Sequence, residues 1–379
     1  MALGILVGSH YFDITPKDYE KLPNKWYIVN SPIVNKLSII RERALSNYKS
    51  HLSPQTYTIV AAMTLGEKPS VIVAQRIVRS PNEVSLLSPY RVTGVSHIFA
   101  LSGLHLAILF GLVGLLLPLR AFPRFSETLR LLLLWLYVLI VGIHPSLLRA
   151  SVMLTIYTLC RMTARRTKSI DVLLLTIFLL LFLFPHWLYD PGFQMSCAAL
   201  AGILLLAPRL KRDSPPAPLC LERGEGGARL KGLRNLRALG EGLITTLIIS
   251  FSATLAVAPL VVLYFGRLSC YSLLINLLIS PFVPLILCLA LAFQLVLALA
   301  PAFQLASGVL CFPALATFLA HLLEWAVGGM QWIVEWGASL PGASIEGIPL
   351  SAPQTILVYV VIIAVLAIAH ICLRTRHKR

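Results

Sequence analysis

The chain is poor in charge, and poorest in acid. Only 13% of its 379 residues are charged, and 16 Asp and Glu stand against 32 Lys and Arg. Hydrophobic residues reach 57% and mean hydropathy is +0.81. That balance excludes an ordinary soluble domain and points to a chain that crosses a bilayer repeatedly. Its cysteines (Cys160, Cys197, Cys220, Cys270, Cys288, Cys311 and Cys372) lack C-x-x-C spacing, so neither a zinc knuckle nor a disulfide framework is expected. The sequence has no G-x-x-x-x-G-K-[ST], no G-x-G-x-x-G between strand and helix, no H-E-x-x-H and no G-x-S-x-G. Nucleotide hydrolysis and hydrolytic catalysis are therefore not expected, and the chain reads as a non-enzyme without cofactor. His97, His105 and His144 have no carboxylate at ligand spacing, so no metal site is expected. Met1–Gly8 is apolar but short and lacks the basic lead of a secretory signal.

What the chain does have is apolar runs of near-spanning length. They lie at 95–117, 128–143, 147–162, 170–188, 193–207, 241–263, 271–299, 303–323 and 354–372, judged against ~20 apolar residues per crossing. The fold expected is an all-α polytopic membrane protein of about nine transmembrane helices, some broken or re-entrant, with a small N-terminal extramembrane segment.

Basic residues alternate with the spans. Arg120, Arg124 and Arg130 follow the first. Arg161, Arg165, Arg166 and Lys168 follow the third, and eight Lys or Arg between Arg209 and Arg237 follow the fifth. Arg374, Arg376, Lys378 and Arg379 follow the ninth. The opposite side holds Arg267, Arg149 near a span end, and the acids Asp190, Glu324, Glu335 and Glu346. By the positive-inside rule the basic loops and the C-terminus are cytoplasmic, and Met1–Tyr90 is outside. A polar N-terminal stretch without an export signal would then cross the membrane, so an upstream part of the protein is expected.

Within Met1–Tyr90, Trp26–Val29 reads as a strand end and Asn30-Ser31-Pro32 as a break. Ile33–His51 is amphipathic, with Ile33, Leu37, Ile40, Ala44, Leu45 and Tyr48 at helical spacing among Lys36, Arg41, Arg43 and Lys49. Such a helix lies on lipid or docks on protein. A helix over Gln55–Thr64 is expected to stop near Gly66. The Pro-, Gly- and Arg-rich stretch Pro208–Leu239 reads as a mobile cytoplasmic linker that sets orientation or attracts anionic partners.

Several polar groups fall inside the apolar runs. On a helix over Gly94–Leu117, Gly94, His97, Ser102 and His105 would share an arc of about 140° at roughly 100° per residue. Such a face either packs closely against other helices or lines a polar path. His144-Pro145-Ser146 precedes a helix whose first turn holds Arg149, able to snorkel to the interface or to grip phosphate. In Tyr189–Ser196, Asp190 suits the cap of the next helix, with Gln194 and Ser196 entering the membrane. Pro259, Gly266, Arg267, Asn276, Ser280, Pro281 and Pro284 interrupt an apolar stretch, a pattern found in discontinuous helices at transport sites. Glu324–Pro349, with Trp325, Trp332 and Trp336, reads as an amphipathic helix at the outer interface.

HIFALSGLHLAIL (His97–Leu109) closely resembles the signature of the ComEC-type competence proteins, inner-membrane channels that internalise DNA. HPSLLRASVM (His144–Met153), YDPGFQMSCAALAGILLLAP (Tyr189–Pro208) and ATLAVAPLVVLYFGRLSCYSLLINLLISPFVPL (Ala253–Leu285) agree in order, and MTLGEKPSV (Met63–Val71) is similar to the family's approach to the first motif. The resemblance divides the chain into an extracytoplasmic segment (1–55), a competence-type membrane core (56–299) containing the basic linker (208–240), and C-terminal membrane helices with an amphipathic outer segment (300–379). It implies an inner-membrane channel for single-stranded DNA in natural transformation, without the complete OB-like domain and without the metallo-β-lactamase-like domain found in the family. Partners so implied are single-stranded DNA, the bilayer, an outer DNA receptor, a cytoplasmic ATP-driven helicase and further copies of the chain. Candidates for lining the DNA path are His97, Ser102, His105, Arg149, Gln194 and Asn276, and candidate structural breaks are Gly103, Pro145, Pro259, Gly266, Pro281 and Pro284. A solute or lipid transporter on the same core, and a non-conducting partial protein, are the competing readings.

Overall fold

The computed structural model describes residues 32–67, 88–99, 101, 103–116, 123–142, 145–163, 167–213, 227–307, 311–347, 351 and 353–362. Trp26–Val29, Ser102 and His144 lie outside these. The described chain is nearly all helix, with one two-stranded sheet. It divides into two compact units, one from Met1–Phe193 with Leu274–Pro341, the other from Gln194–Leu273 with Gly342–Arg379.

The first unit begins with a helical hairpin, α1 (Pro32–His51) and α2 (Pro54–Leu65). Pro54 pre-sets the first turn of α2, and Gly66 ends it at φ 66°, a backbone region that penalises a Cβ. Gly66 N–H donates to Ala62 O and Glu67 N–H to Ala61 O, satisfying the last carbonyls. α2 is apolar all round and buried from Thr58 to Leu65, as a core helix must be. Its threonines stay satisfied by turning back on the backbone, Thr58 Oγ1 to Pro54 O at 2.9 Å and Thr64 Oγ1 to Val60 O at 2.7 Å.

The short α3 (Ser88–Val92), a 3₁₀ turn (Ser96–Phe99) and α4 (Gly103–Leu116) follow. The single helix expected over Gly94–Leu117 is therefore corrected. Gly94 takes φ 74°, the chain tightens into the 3₁₀ turn, and regular helix starts at Gly103. Gly94, His97 and His105 therefore do not share one helix face. Next come α5 (Pro123–Val141), α6 (Pro145–Met162) and α7 (Ser169–Leu183), each packed on the one before, and a 3₁₀ turn over Pro185–Tyr189.

The second unit takes most of α8 (Pro191–Asp213), α9 (Gly227–Phe265), β1 (Arg267–Ser269), β2 (Ser344–Glu346) and α13 (Pro353–Ile362). α8 and α9 meet at Gly202, where a Cβ would lie 2.6 Å from Ser252 O and 2.5 Å from Ala256 Cβ. Small residues allow this approach in membrane helices. Tyr359 Oη, on α13, donates to Ala256 O at 2.8 Å. Strands β1 and β2 pair antiparallel, Arg267 opposite Glu346.

In chain order, α10 (Ser272–Ile279), α11 (Phe282–Ser307) and α12 (Cys311–Ser339) follow β1, and from Leu274 they belong to the first unit. α10 and α11 are one apolar stretch bent at Ser280-Pro281, with Pro284 in the first turn of α11. α12 runs antiparallel to this elbow, its glycines meeting the two arms. A Cβ on Gly329 would touch the Phe282 ring at 3.0 Å, and one on Gly337 would lie 2.3 Å from Ile275 Cδ1.

Other expectations need adjustment. Pro259 does not interrupt α9, which continues to Phe265; the stop comes from Gly266 at φ 63°. A proline removes one ladder bond, which packed neighbours can absorb. The span expected at 303–323 is divided, residues 303–307 closing α11, while Cys311–Leu323 run on without a break into the segment read from Glu324 as one helix, α12, ended by a turn with Gly342 at φ 69° and by β2. The linker over Pro208–Leu239 is helical at both ends, to Asp213 and from Gly227. Three described helices have the length and apolarity to cross a bilayer: Pro191–Leu210, Ile244–Phe265 and Ser272–Ala300. Gly103–Gly114, Ser169–Leu183 and Pro353–Ile362 are shorter apolar helices.

Candidate functional site

The polar groups of the first unit gather around α4 and the break before it. Ser146 Oγ, in the first turn of α6, donates to Leu101 O, so the non-helical residue ahead of α4 gains a partner. Gly103 lies against α6, with 3.4 Å from its would-be Cβ to Ala150 Cβ. His105 is 4% exposed and faces a small cavity with Thr64, Ile108, Leu109, Tyr137, Leu287 and Leu291. Tyr137 Oη donates to Thr64 O at 2.6 Å on the same wall. His97 lies on the 3₁₀ turn that precedes α4.

Arg149 is 3% exposed, so it does not snorkel. One guanidinium nitrogen donates to Phe193 O at 3.5 Å, and the group sits 5.9 Å from the Phe193 ring centre. Phe193 is held in turn by Asp190, whose Oδ2 accepts its N–H at 2.7 Å and caps α8 as the sequence suggests. Pro145 opens α6, where its missing N–H costs nothing.

The structure thus buries His105 against the cavity beside α4 and fixes Arg149 through α8's first turn. Asn276 is half-buried on α10, its carbonyl receiving Ser280 N–H at 3.0 Å. Gln194 falls in the second unit, where its Oε1 accepts Tyr264 Oη at 2.7 Å. Of the candidate breaks, Gly103, Pro145, Gly266, Pro281 and Pro284 stand at helix ends or first turns, and Pro259 lies within α9. Among the described residues no group of three or more His, Cys, Asp or Glu could hold a metal ion.

Sequence reasoning missed the polar tip of the α1–α2 hairpin. Tyr48 Oη donates to Ala290 O at 3.2 Å, and Asn47 Nδ2 to Gln294 Oε1 at 3.1 Å. Gln294 Nε2 returns to Ala44 O at 2.9 Å. Ser53 N–H donates to Glu324 Oε1 at 2.9 Å. Tyr48 stacks on Phe293 with centroids 5.9 Å apart, and His51 meets the same ring edge-on. The available signal was Gln294, a lone amide in an apolar run.

The sequence profile of the competence protein family matches residues 83–374. ComE operon protein 3 of Bacillus subtilis (strain 168) is 29% identical over 248 residues, 65% of this chain and 27% of the relative. An uncharacterized protein of Aquifex aeolicus (strain VF5) is 40% identical over 116 residues, 30% of this chain and 27% of the relative. The chain therefore spans about a quarter of the length of the curated relatives it matches. No solved structure matches it. With the family's profile covering most of its length, the chain belongs to the competence protein family.

Proposed function

We propose that the chain forms the membrane-embedded part of a route by which single-stranded DNA enters the cell during natural transformation. The observation that carries this reading is the match to the competence family over residues 83–374, since competence is the state in which a cell takes up DNA. The architecture is compatible with it. A single strand needs a polar path wide enough for bases. Helices that stop and restart at Leu101–Gly103 and at Ser280–Pro281 are the kind that line such paths. The alternation of basic loops supports an inner-membrane location with those loops cytoplasmic. An outer DNA receptor and an ATP-driven helicase inside would supply capture and pull.

The test is genetic. In a transformable strain whose own copy is deleted, uptake of labelled DNA should fall to background. The wild-type chain should restore it, while Arg149→Ala and His105→Ala, at equal abundance in the membrane fraction, should not. Undiminished uptake in the deletion strain would overturn the proposal.

A further inference from the structure

The hairpin α1–α2 reaches far along α11. Its turn is tied to Ala290, Phe293 and Gln294, and Ser53 donates to Glu324 in the middle of α12. Ala290 lies ~12 Å along α11 at 1.5 Å per residue. All three α11 residues fall within the apolar stretch Ser272–Ala300, long enough to cross a membrane. The other end of the hairpin closes on itself, Arg41 pairing with Glu67 just past the end of α2. The hairpin therefore dips to membrane depth and returns.

At that depth α1 presents a face unsuited to lipid. Every exposed residue from 42 to 51 is polar or charged: Glu42, Arg43, Ser46, Lys49, Ser50 and His51. Among the described side chains of α1, the apolar exposed ones, Ile39 and Ile40, precede this stretch. Charged side chains within a membrane face water or protein because acyl chains cannot solvate them. The buried side of the same helix, with Leu37 and Tyr48, already faces the bundle.

We propose that the outward face of α1 from Glu42 to His51 is a wall of the aqueous route, with Arg43 and Lys49 meeting the phosphates of the passing strand. This rests on the DNA-uptake reading above. It supplies positive charge that the outer loops lack, Arg43 and Lys49 outweighing the single Glu42 on the same face, on a helix whose outer serines leave room for a backbone to slide. Arg43 flanks the Ser46–Ser50 line on one side and Lys49 on the other, so both can reach a strand lying along it.

The experiment uses the full chain with its native cysteines replaced, reconstituted in vesicles and spin-labelled singly at Ser46→Cys, Ser50→Cys or, as a lipid reference, Phe178→Cys on α7, which is 65% exposed. Collision with a water-soluble nickel chelate should be several-fold higher at positions 46 and 50 than at 178. A single-stranded oligodeoxythymidylate should lower it at 46 and 50 only. The double variant Arg43→Gln, Lys49→Gln should bind that oligonucleotide with a salt slope shallower by about 1.4, two single-strand phosphate contacts. Lipid-like accessibility at 46 and 50 would overturn the inference. So would water accessibility unaffected by oligonucleotide, together with an unchanged salt slope; if the deletion strain still loses DNA uptake, that result removes α1 from the route and leaves the DNA-uptake reading standing.

Discussion

Single residues set the joints of this structure. Asp190 caps α8 through Phe193 N–H, and the same Phe193 receives Arg149. Asp190→Ala should lower stability by about 0.5–2 kcal/mol, the usual loss of an N-cap, while Asp190→Asn retains most of it; thermal unfolding in detergent would show this. Two glycines of α12 give a sharper contrast. A Cβ at Gly337 would press into Ile275 at 2.3 and 2.8 Å, whereas one at Gly328 meets nothing within 4 Å. Gly337→Ala should cost about 1–3 kcal/mol through overpacking. Gly328→Ala should be neutral or add about 0.5–1 kcal/mol through helix propensity. Equal melting temperatures for the two variants would contradict this picture of the α10–α12 contact.

At the scale of elements, the turn of the α1–α2 hairpin is tied to α11 by amide and hydroxyl groups of Asn47, Tyr48 and Gln294. Gln294→Leu removes both bonds of one side chain, at about 0.5–1.5 kcal/mol each. Amide exchange should accelerate in residues 32–65 and stay unchanged in α6 and α7. Uniform acceleration everywhere would mean that Gln294 supports the whole bundle.

Sequence reasoning reached helix starts and stops where a local signal decides them. Pro145, Asp190, Gly66 and Gly266 act within one turn, and each stands at the boundary its chemistry predicts. It failed where the deciding partner is remote. Nothing near Gly94 reveals that the chain tightens before Gly103, and Pro259 reads as a break although its helix continues. The β1–β2 pair joins three-residue strands too short to show a period. The candidate site was legible for the same reason only in part. His105 and Arg149 carry polar chemistry into apolar runs and stand out, but the hairpin's seat depends on α11 and α12, more than two hundred residues away.

For the whole molecule, the asymmetry of charge makes a prediction about orientation. The net charge is +16, and its basic residues cluster at 120–130, 161–168, 209–237 and 374–379. A fluorescent reporter fused after Arg379 should therefore report from the cytoplasm. Neutralising Arg374, Arg376, Lys378 and Arg379 together should leave that result unchanged, since the loops at 161–168 and 209–237 carry the same bias. A reporter that appears outside in either chain would require the spans to be recounted.

The bond from Tyr48 to Ala290 spans 242 residues of sequence, and that from Ser53 to Glu324 spans 271. Biogenesis must therefore run in an order opposite to the chain's own. The first helices made are the last to find their seat, because contacts so distant form only after the intervening chain exists. Until α11 and α12 emerge from the ribosome, the hairpin can lean only on α5, through Tyr137 and Thr64 O, and the polar groups of its turn lack their partners. A nascent chain arrested before residue 282 would hold its N-terminal helices open to protease, and completion of α12 would be the step that protects them.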